Sequence, residues 1–134
     1  MIVRCPCLLG ESYDDCCGRY HRGEAKAPTA ERLMRSRFSA FALSDIDYLS
    51  RTWHPSTRPA ELHLDPGRRW TSLEILAASG GGLFDTTGTV EFRAHYVENG
   101  RPGSHLENSR FVRVDGDWLY VDALATPGTR LPRL

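Results

Sequence analysis

Cys5-Pro6-Cys7 and Cys16-Cys17, with eight residues between the pairs, gather all four cysteines of the chain into one short stretch, CPCLLGESYDDCC. Thiols this crowded can bind a metal, form disulfides, carry redox chemistry or simply pack. A disulfide needs Cα atoms about 4.4–6.8 Å apart, a geometry that adjacent cysteines reach only with strain. A thioredoxin-like redox pair needs Cys-x-x-Cys opening a helix after a strand, and that spacing is absent. Packing alone suits so polar a segment poorly. Zinc fits better, because it accepts four thiolates in a tetrahedron, and a shell filled by protein ligands marks a structural site. The ligand set read from the spacing is Cys5, Cys7, Cys16 and Cys17 around one structural Zn2+. Two alternatives stay open at this point. An iron–sulfur cluster can use the same thiolates, and His21, one helical turn beyond Cys17, can replace it if Cys17 turns outward. Pro6 stiffens the first pair and Gly10 relaxes the loop. Four thiolates around a dication leave a charge of about −2, which Arg4, Arg19 and Arg22 lie close enough in sequence to offset.

The elements that must hold this knuckle follow from periodicity. Residues 1–24 form the zinc-binding knuckle and residues 25–134 a second, larger domain. Pro28 and Thr29 open a helix with Leu33, Met34, Phe38, Phe41 and Ala42 on one face. Ser44-Asp45-Ile46-Asp47 resembles a capping box for a second helix through Tyr48, Leu49 and Trp53, which Pro55 ends. Residues 55–69 read as a loop. Beyond them the period becomes two: a strand from Trp70 to Ala77 closed by Gly80-Gly81-Gly82, and a strand with Val90, Phe92, Ala94 and Tyr96 on one face. A third strand runs from His105 to Val114, and Asp115-Gly116 turns the chain into a fourth at Trp118–Val121. Helices first and a meander afterwards predict an α+β fold, with helices packed on a curved antiparallel sheet behind an N-terminal zinc knuckle.

Composition bounds the rest. A chain of 134 residues with 40% hydrophobic and 25% charged content is expected to fold without staples. With 17 basic and 17 acidic residues the net charge is zero, which argues against a broad nucleic-acid footprint. All the basic residues except Lys26 are arginine. No apolar run follows Met1, and no stretch approaches the ~20 apolar residues of a membrane span, so the expected location is cytoplasmic, where thiols stay reduced.

Cys5-Pro6-Cys7, Gly10, Tyr13 and Cys16-Cys17-Gly18 resemble the SEC-C zinc motif, known from the C-terminus of the SecA translocation motor, where it contacts protein partners. The motif's ligands then fall on Cys5, Cys7, Cys16 and Cys17. Leu8-Leu9 departs from the Gly-Ser common at that place. The helix–helix–curved sheet order is similar to the nuclear transport factor 2-like, cystatin-like cone. The segment LMRSRFSAF at 33–41, Tyr48-Leu49, Thr52-Trp53-His54-Pro55, Glu91-Phe92, Glu107 with Ser109-Arg110-Phe111, and Trp118-Leu119-Tyr120 extend the resemblance to the whole YchJ-like family of small bacterial proteins. That family carries no settled activity, so the resemblance implies a fold and a metal and leaves open whether the chain is an enzyme.

Three functions follow as expectations. The first is a zinc-stabilised binding module that docks a protein or ribonucleoprotein partner through the knuckle. The second is a small-molecule-binding or enzymatic cone, lined by Trp53, His54, Trp70, Glu91, His95, His105 and Glu107, in which a His–carboxylate pair serves as general base and orienter. Each residue has a plainer role beside it: His54 as a loop pin, His95 as a solvent-facing residue, His105 and Glu107 as a cross-face pair, and the tryptophans as core anchors. The third is a redox or zinc sensor that releases metal when its thiolates oxidise. Gly80-Gly81-Gly82 lacks the Lys-Ser/Thr of a P-loop and reads as a flexible connection. Neither the partner nor the oligomeric state is legible.

Overall fold

A computed structural model describes residues 3–124. The elements are α1 (Cys17–His21), α2 (Ala30–Leu43), α3 (Ile46–Arg51), β1 (Arg68–Gly80), β2 (Thr87–Glu98), β3 (Arg101–Val114) and β4 (Asp117–Ala123). Thr29 caps α2 as its residue type predicts, its hydroxyl oxygen accepting from the Arg32 amide at 3.2 Å. Ser44 ends α2 in the left-handed region (φ +59°), and Asp45, accepting from the Tyr48 amide at 3.1 Å, opens α3. The Ser44-Asp45 pair is therefore split between two helices: one residue closes a helix and the next begins another. Trp53 lies beyond α3. The chain there pairs with β4, with Tyr120 N–H donating to Thr52 O and His54 N–H to Tyr120 O, both at 2.8 Å. These bonds stitch the loop to the free edge of β4.

The described strands form one antiparallel meander in the order β1-β2-β3-β4. Asn99-Gly100 (φ +52° and +79°) and Asp115-Gly116 (φ +51° and +84°) supply the two tight turns. Both dipeptides suit a type I′ turn, which requires positive φ at two consecutive residues. Only the second turn figures in the strand boundaries above; Asn99-Gly100 carries the same signal and accounts for β3 starting at Arg101. Register shifts at Trp70/Ser72 and Ile75/Ala77 bend β1 and help curve the sheet.

The concave side of the sheet meets α2. Leu33, Met34 and Phe38 pack with Leu73, Val90, Phe92, Ala94, Phe111, Trp118 and Tyr120 in one cluster, and this apolar burial holds helix to sheet. The glycine run is a packed corner, which overturns its reading as a flexible connection. Gly81 O accepts from Ala30 N–H at 2.9 Å, and a Cβ on Gly81 would stand 2.7 Å from that of Ala30. The corner thereby fixes the start of α2 against the sheet.

Candidate metal centre

The knuckle is a short hairpin closed by a helical turn. Cys5 N–H donates to Glu11 O at 3.0 Å and Tyr13 N–H to Val3 O at 2.8 Å, so the two limbs run antiparallel. Leu8 (φ +65°) and Gly10 (φ +92°) carry the reversal. Tyr13 O then accepts from both Cys16 N–H (3.1 Å) and Gly18 N–H (2.8 Å), pulling the second cysteine pair under the first. Gly18 is required there, since a Cβ would lie 2.7 Å from Tyr13 O. Cys16 takes φ −120°, ψ −114°, outside the main allowed basins. This local bend turns Cys16 and Cys17, which would otherwise point apart, toward one centre.

The four Sγ atoms lie within 4.8 Å of one another, and all four residues are buried. Cys7 Sγ is 3.6 Å from Cys16 Sγ, and Cys16 Sγ is 4.0 Å from Cys17 Sγ. Tetrahedral M–S bonds of about 2.3 Å require S···S edges of about 3.8 Å, whereas a disulfide would draw a pair to about 2.05 Å. The spacing therefore fits a tetrathiolate metal shell, and the four cysteines are free thiols. Hydrogen bonds from Cys17 and Cys7 push the Cys5 thiol far down, while burial pushes Cys16 up to about 12. Its bond to Cys5 drives Cys17 higher still. Burying several thiols together disfavours their joint ionisation, a penalty that a bound divalent ion would remove.

His21 is not placed as a ligand. Its Nε2–H donates to Ser36 O at 2.8 Å, and its Nδ1 accepts from the Tyr13 hydroxyl at 2.6 Å. Both ring nitrogens are thus used to brace the knuckle against α2. Burial lowers the His21 pKa, against the opposing pull of Asp45 and of Cys5. The unfolded chain consequently binds a proton at His21 first as pH falls below the ordinary value of about 6.5, and stability drops as pH decreases through that window. Urea midpoints measured between pH 7.5 and 5.5 are expected to fall more steeply for the wild type than for His21→Gln; equal slopes would remove His21 from this role.

The arginines that serve the site come mainly from outside the knuckle. Arg35 on α2 donates to Cys7 O at 3.1 Å, and Arg51 on α3 donates to Tyr20 O at 3.1 Å and His21 O at 2.8 Å. Of the three expected to offset the thiolates, Arg19 reaches Cys16 O at 3.4 Å. Arg4 is exposed, and Arg22 is engaged by Asp14 and Glu24 at the surface. Cys5 Sγ also lies 3.4 Å from Ser39 Oγ of α2. Knuckle and helices are therefore joined at the clustered cysteines themselves.

Residues 29–123 match the family described as YchJ, middle NTF2-like domain. The chain belongs to the YchJ-like family. Among relatives of this YchJ-like chain, the UPF0225 protein of Streptomyces coelicolor is 63% identical over 118 residues, covering 88% of this chain and 92% of its own length. That of Deinococcus radiodurans is 50% identical over 120 residues, covering 89% and 87%. The solution structure of a SEC-C motif containing protein from Rhodopseudomonas palustris superposes with a TM-score of 0.80 at 34% identity, covering 92% of this chain and 99% of that one. A crystal structure of a SEC-C motif containing protein from Psychrobacter arcticus gives a TM-score of 0.73 at 28% identity, covering 91% and 83%. The curved sheet with its helices is thus an NTF2-like domain, and the cysteine hairpin sits where a knuckle is expected.

Leu8 marks where this YchJ-like chain departs from the glycine of the motif it resembles. Its positive φ is one that a non-glycine residue adopts at a cost of about 1–2 kcal/mol, and its side chain is 56% exposed, so little packing offsets that cost. Leu8→Gly is expected to stabilise the metal-bound form by about 1 kcal/mol, read as roughly fivefold tighter metal retention in a chelator competition. Unchanged or weaker retention would show that Leu8 packing outweighs the backbone strain.

The cone candidates divide. Trp53, His105 and Glu107 are buried together: His105 Nε2 donates to Glu107 Oε1 at 2.9 Å, and Trp53 stacks edge-on against Tyr120 at 5.0 Å. Ser109 Oγ at 2.5 Å and the Tyr120 hydroxyl at 3.1 Å also donate to Glu107. Arg37, fully buried on α2, lies over the rings of Tyr120 (4.6 Å) and Trp53 (5.1 Å) and donates to Leu49 O at 2.9 Å and Thr52 Oγ1 at 2.8 Å. Burial pulls the Arg37 guanidinium down to about 10, with Tyr120, Tyr48 and Glu107 opposing, so it remains a cation at neutral pH. Trp70 sits half-buried at the rim against Phe38, Phe41 and Tyr96. His54 and the outward-facing Glu91 and His95 stand apart from this interior group. His54 Nδ1 holds Ser56 at 2.7 Å and His95 Nε2 meets Glu74 at 2.5 Å. Arg37 enters the sequence reading only within the segment 33–41 and not as a site candidate, although its place four residues after Leu33 and three after Met34 put it on the apolar face.

Proposed function

We propose that this chain is a structural zinc protein, in which the knuckle binds one Zn2+ and presents a docking surface to a partner protein. The observation that carries this reading is the group of four buried Sγ atoms within 4.8 Å, a set that fills a tetrahedral shell and leaves no position for substrate. Zinc, when bound, supplies cross-linking of the knuckle rather than a reactive water. Cys5 and Cys7 hold it from the hairpin, and Cys16 and Cys17 hold it from the start of α1. Ser39, Arg35 and the His21–Ser36 bond seat the assembly on α2. The SEC-C designation of two structural neighbours supports the zinc assignment. Thiols kept reduced for a metal belong to a reducing compartment, so the proposed location is the cytoplasm. Among the described residues no helix is long and apolar enough to cross a membrane.

Elemental analysis of the purified protein tests the metal: about one zinc per chain is expected. Stoichiometric iron with a visible chromophore, or no metal, would overturn the assignment. Cross-linking of wild type and Cys17→Ser in cells tests docking, with identical partner sets counting against a role for the knuckle.

A further inference from the structure

A groove of about 510 Å3 runs along the outer side of the knuckle. Its apolar part comes from Val3, Pro6 and Tyr13 of the knuckle together with Leu43 at the end of α2, and its polar part includes Asp14 and Asp15. Val3 is 67% exposed and Leu43 50% exposed, so two aliphatic side chains face solvent in one place. Asp14 shares Arg22 with Glu24. Asp15 accepts a bond from Ser12 and has no cationic partner among the described residues. The groove belongs to two elements at once, and the contacts between Cys5 and Ser39 and between Arg35 and Cys7 O hold those elements in register.

We propose that this groove is the docking site for a partner protein's segment carrying an apolar anchor residue flanked by lysine or arginine. The proposal rests on the zinc-knuckle reading, because the groove is complete only with the knuckle seated on α2. Charge complementarity selects the occupant. Asp14 and Asp15 border the apolar floor, and Asp15 has no cationic partner among the described residues to neutralise it. The same charges oppose the phosphates of RNA, so the favoured partner is a protein rather than a nucleic acid. The apolar anchor would cover Val3 and Leu43, and the flanking cations would reach Asp15 directly and Asp14 alongside Arg22.

Panning a phage-displayed peptide library on the full-length, zinc-loaded protein is expected to enrich sequences with one bulky apolar residue between basic ones. The selected peptide, followed by fluorescence anisotropy, is expected to bind at least tenfold more weakly to Leu43→Asp and to Asp14→Lys/Asp15→Lys, and to weaken as salt rises. Glu61→Lys, an exposed change outside the groove, is expected to leave binding unchanged. An acidic consensus, no consensus, unchanged affinity in both groove variants, or preferential binding of an oligouridine strand would overturn the proposal. Circular dichroism and zinc content are measured on every variant. Full zinc occupancy with no basic peptide selected sinks the groove alone, whereas absent zinc in the wild type sinks the knuckle reading beneath it.

Discussion

Cys16→Ser is expected to abolish stoichiometric metal binding and unfold the knuckle while leaving the NTF2-like domain folded. The cysteines pack in a cluster of their own with Leu9 and Tyr13, separate from the cluster between α2 and the sheet. A structural zinc in a small site contributes an apparent ~10–16 kcal/mol of binding free energy at neutral pH, so losing one ligand removes most of what orders the hairpin. Amide signals of residues 5–22 should collapse toward random-coil positions while those of β2 and β3 persist, and metal content should fall from about one to near zero per chain. A Cys16→Ser protein that keeps its metal and its knuckle signals would mean that the metal is held elsewhere or that three ligands suffice. The proton balance adds a second reading of the same site. Burial raises the Cys16 thiol, and an ordinary thiol with a pKa of about 8.5 is already mostly protonated at pH 7, so metal binding would release protons. Apparent affinity should therefore rise with pH between 6 and 8, and a pH-independent affinity would show that the ligands are already ionised.

Glu107→Ala is expected to destabilise the domain by about 3–5 kcal/mol, because it strands the buried donors of His105, Ser109 and Tyr120 and removes a negative charge that supports buried Arg37. Glu107 is fully buried and takes bonds from His105, Ser109 and Tyr120, and its charge supports that of Arg37. Removing it leaves three buried donors without their acceptor, and a domain of this size should lose about 10–20 °C in melting temperature. Replacing both partners by apolar residues, as in Arg37→Met/Glu107→Leu, should cost less than Glu107→Ala alone, since neither charge is then stranded. Thermal and urea unfolding followed by far-UV circular dichroism measures both. A Glu107→Ala melt within about 2 °C of wild type would show that water or another side chain replaces the carboxylate. Glu107 therefore ties β3 to β4 through Tyr120, and its bonds to His105 and Ser109 hold it within the domain interior.

Much of the architecture was legible because its signals are short-ranged. Thr29 and Asp45 cap helices through bonds three residues away, and Asp115-Gly116 turns the chain through its own backbone angles. The alternation of Phe92 and Ala94 with Glu91, Arg93 and His95 separated the two faces of β2 correctly, since a strand's side-chain period is two. What failed involved residues whose partners lie far along the chain. Gly81 looked flexible in isolation and is fixed by Ala30, 51 positions earlier. The cavity alternative that grouped His95 with Glu107 fails for the same reason: the register pairs Ala94 with His105, which leaves His95 on the opposite, outward face that strand alternation assigned to it.

The sequence by itself determined the crowding of four thiols, the order of helices and strands, and a chain able to fold without disulfides. These follow from residue type and spacing over a few positions. The tertiary structure alone decided that a bend at Cys16 aims adjacent cysteines at one centre, and that His21 braces the knuckle with both ring nitrogens. It also decided that Arg35 and Arg51 serve the site from other elements, and that Arg37 and Glu107 both engage Tyr120 in the interior. The physical reason is common to all four. A side chain's role is set by what the fold brings within about 3 Å of its polar atoms, and hydrogen-bond geometry at that range carries no local sequence signature.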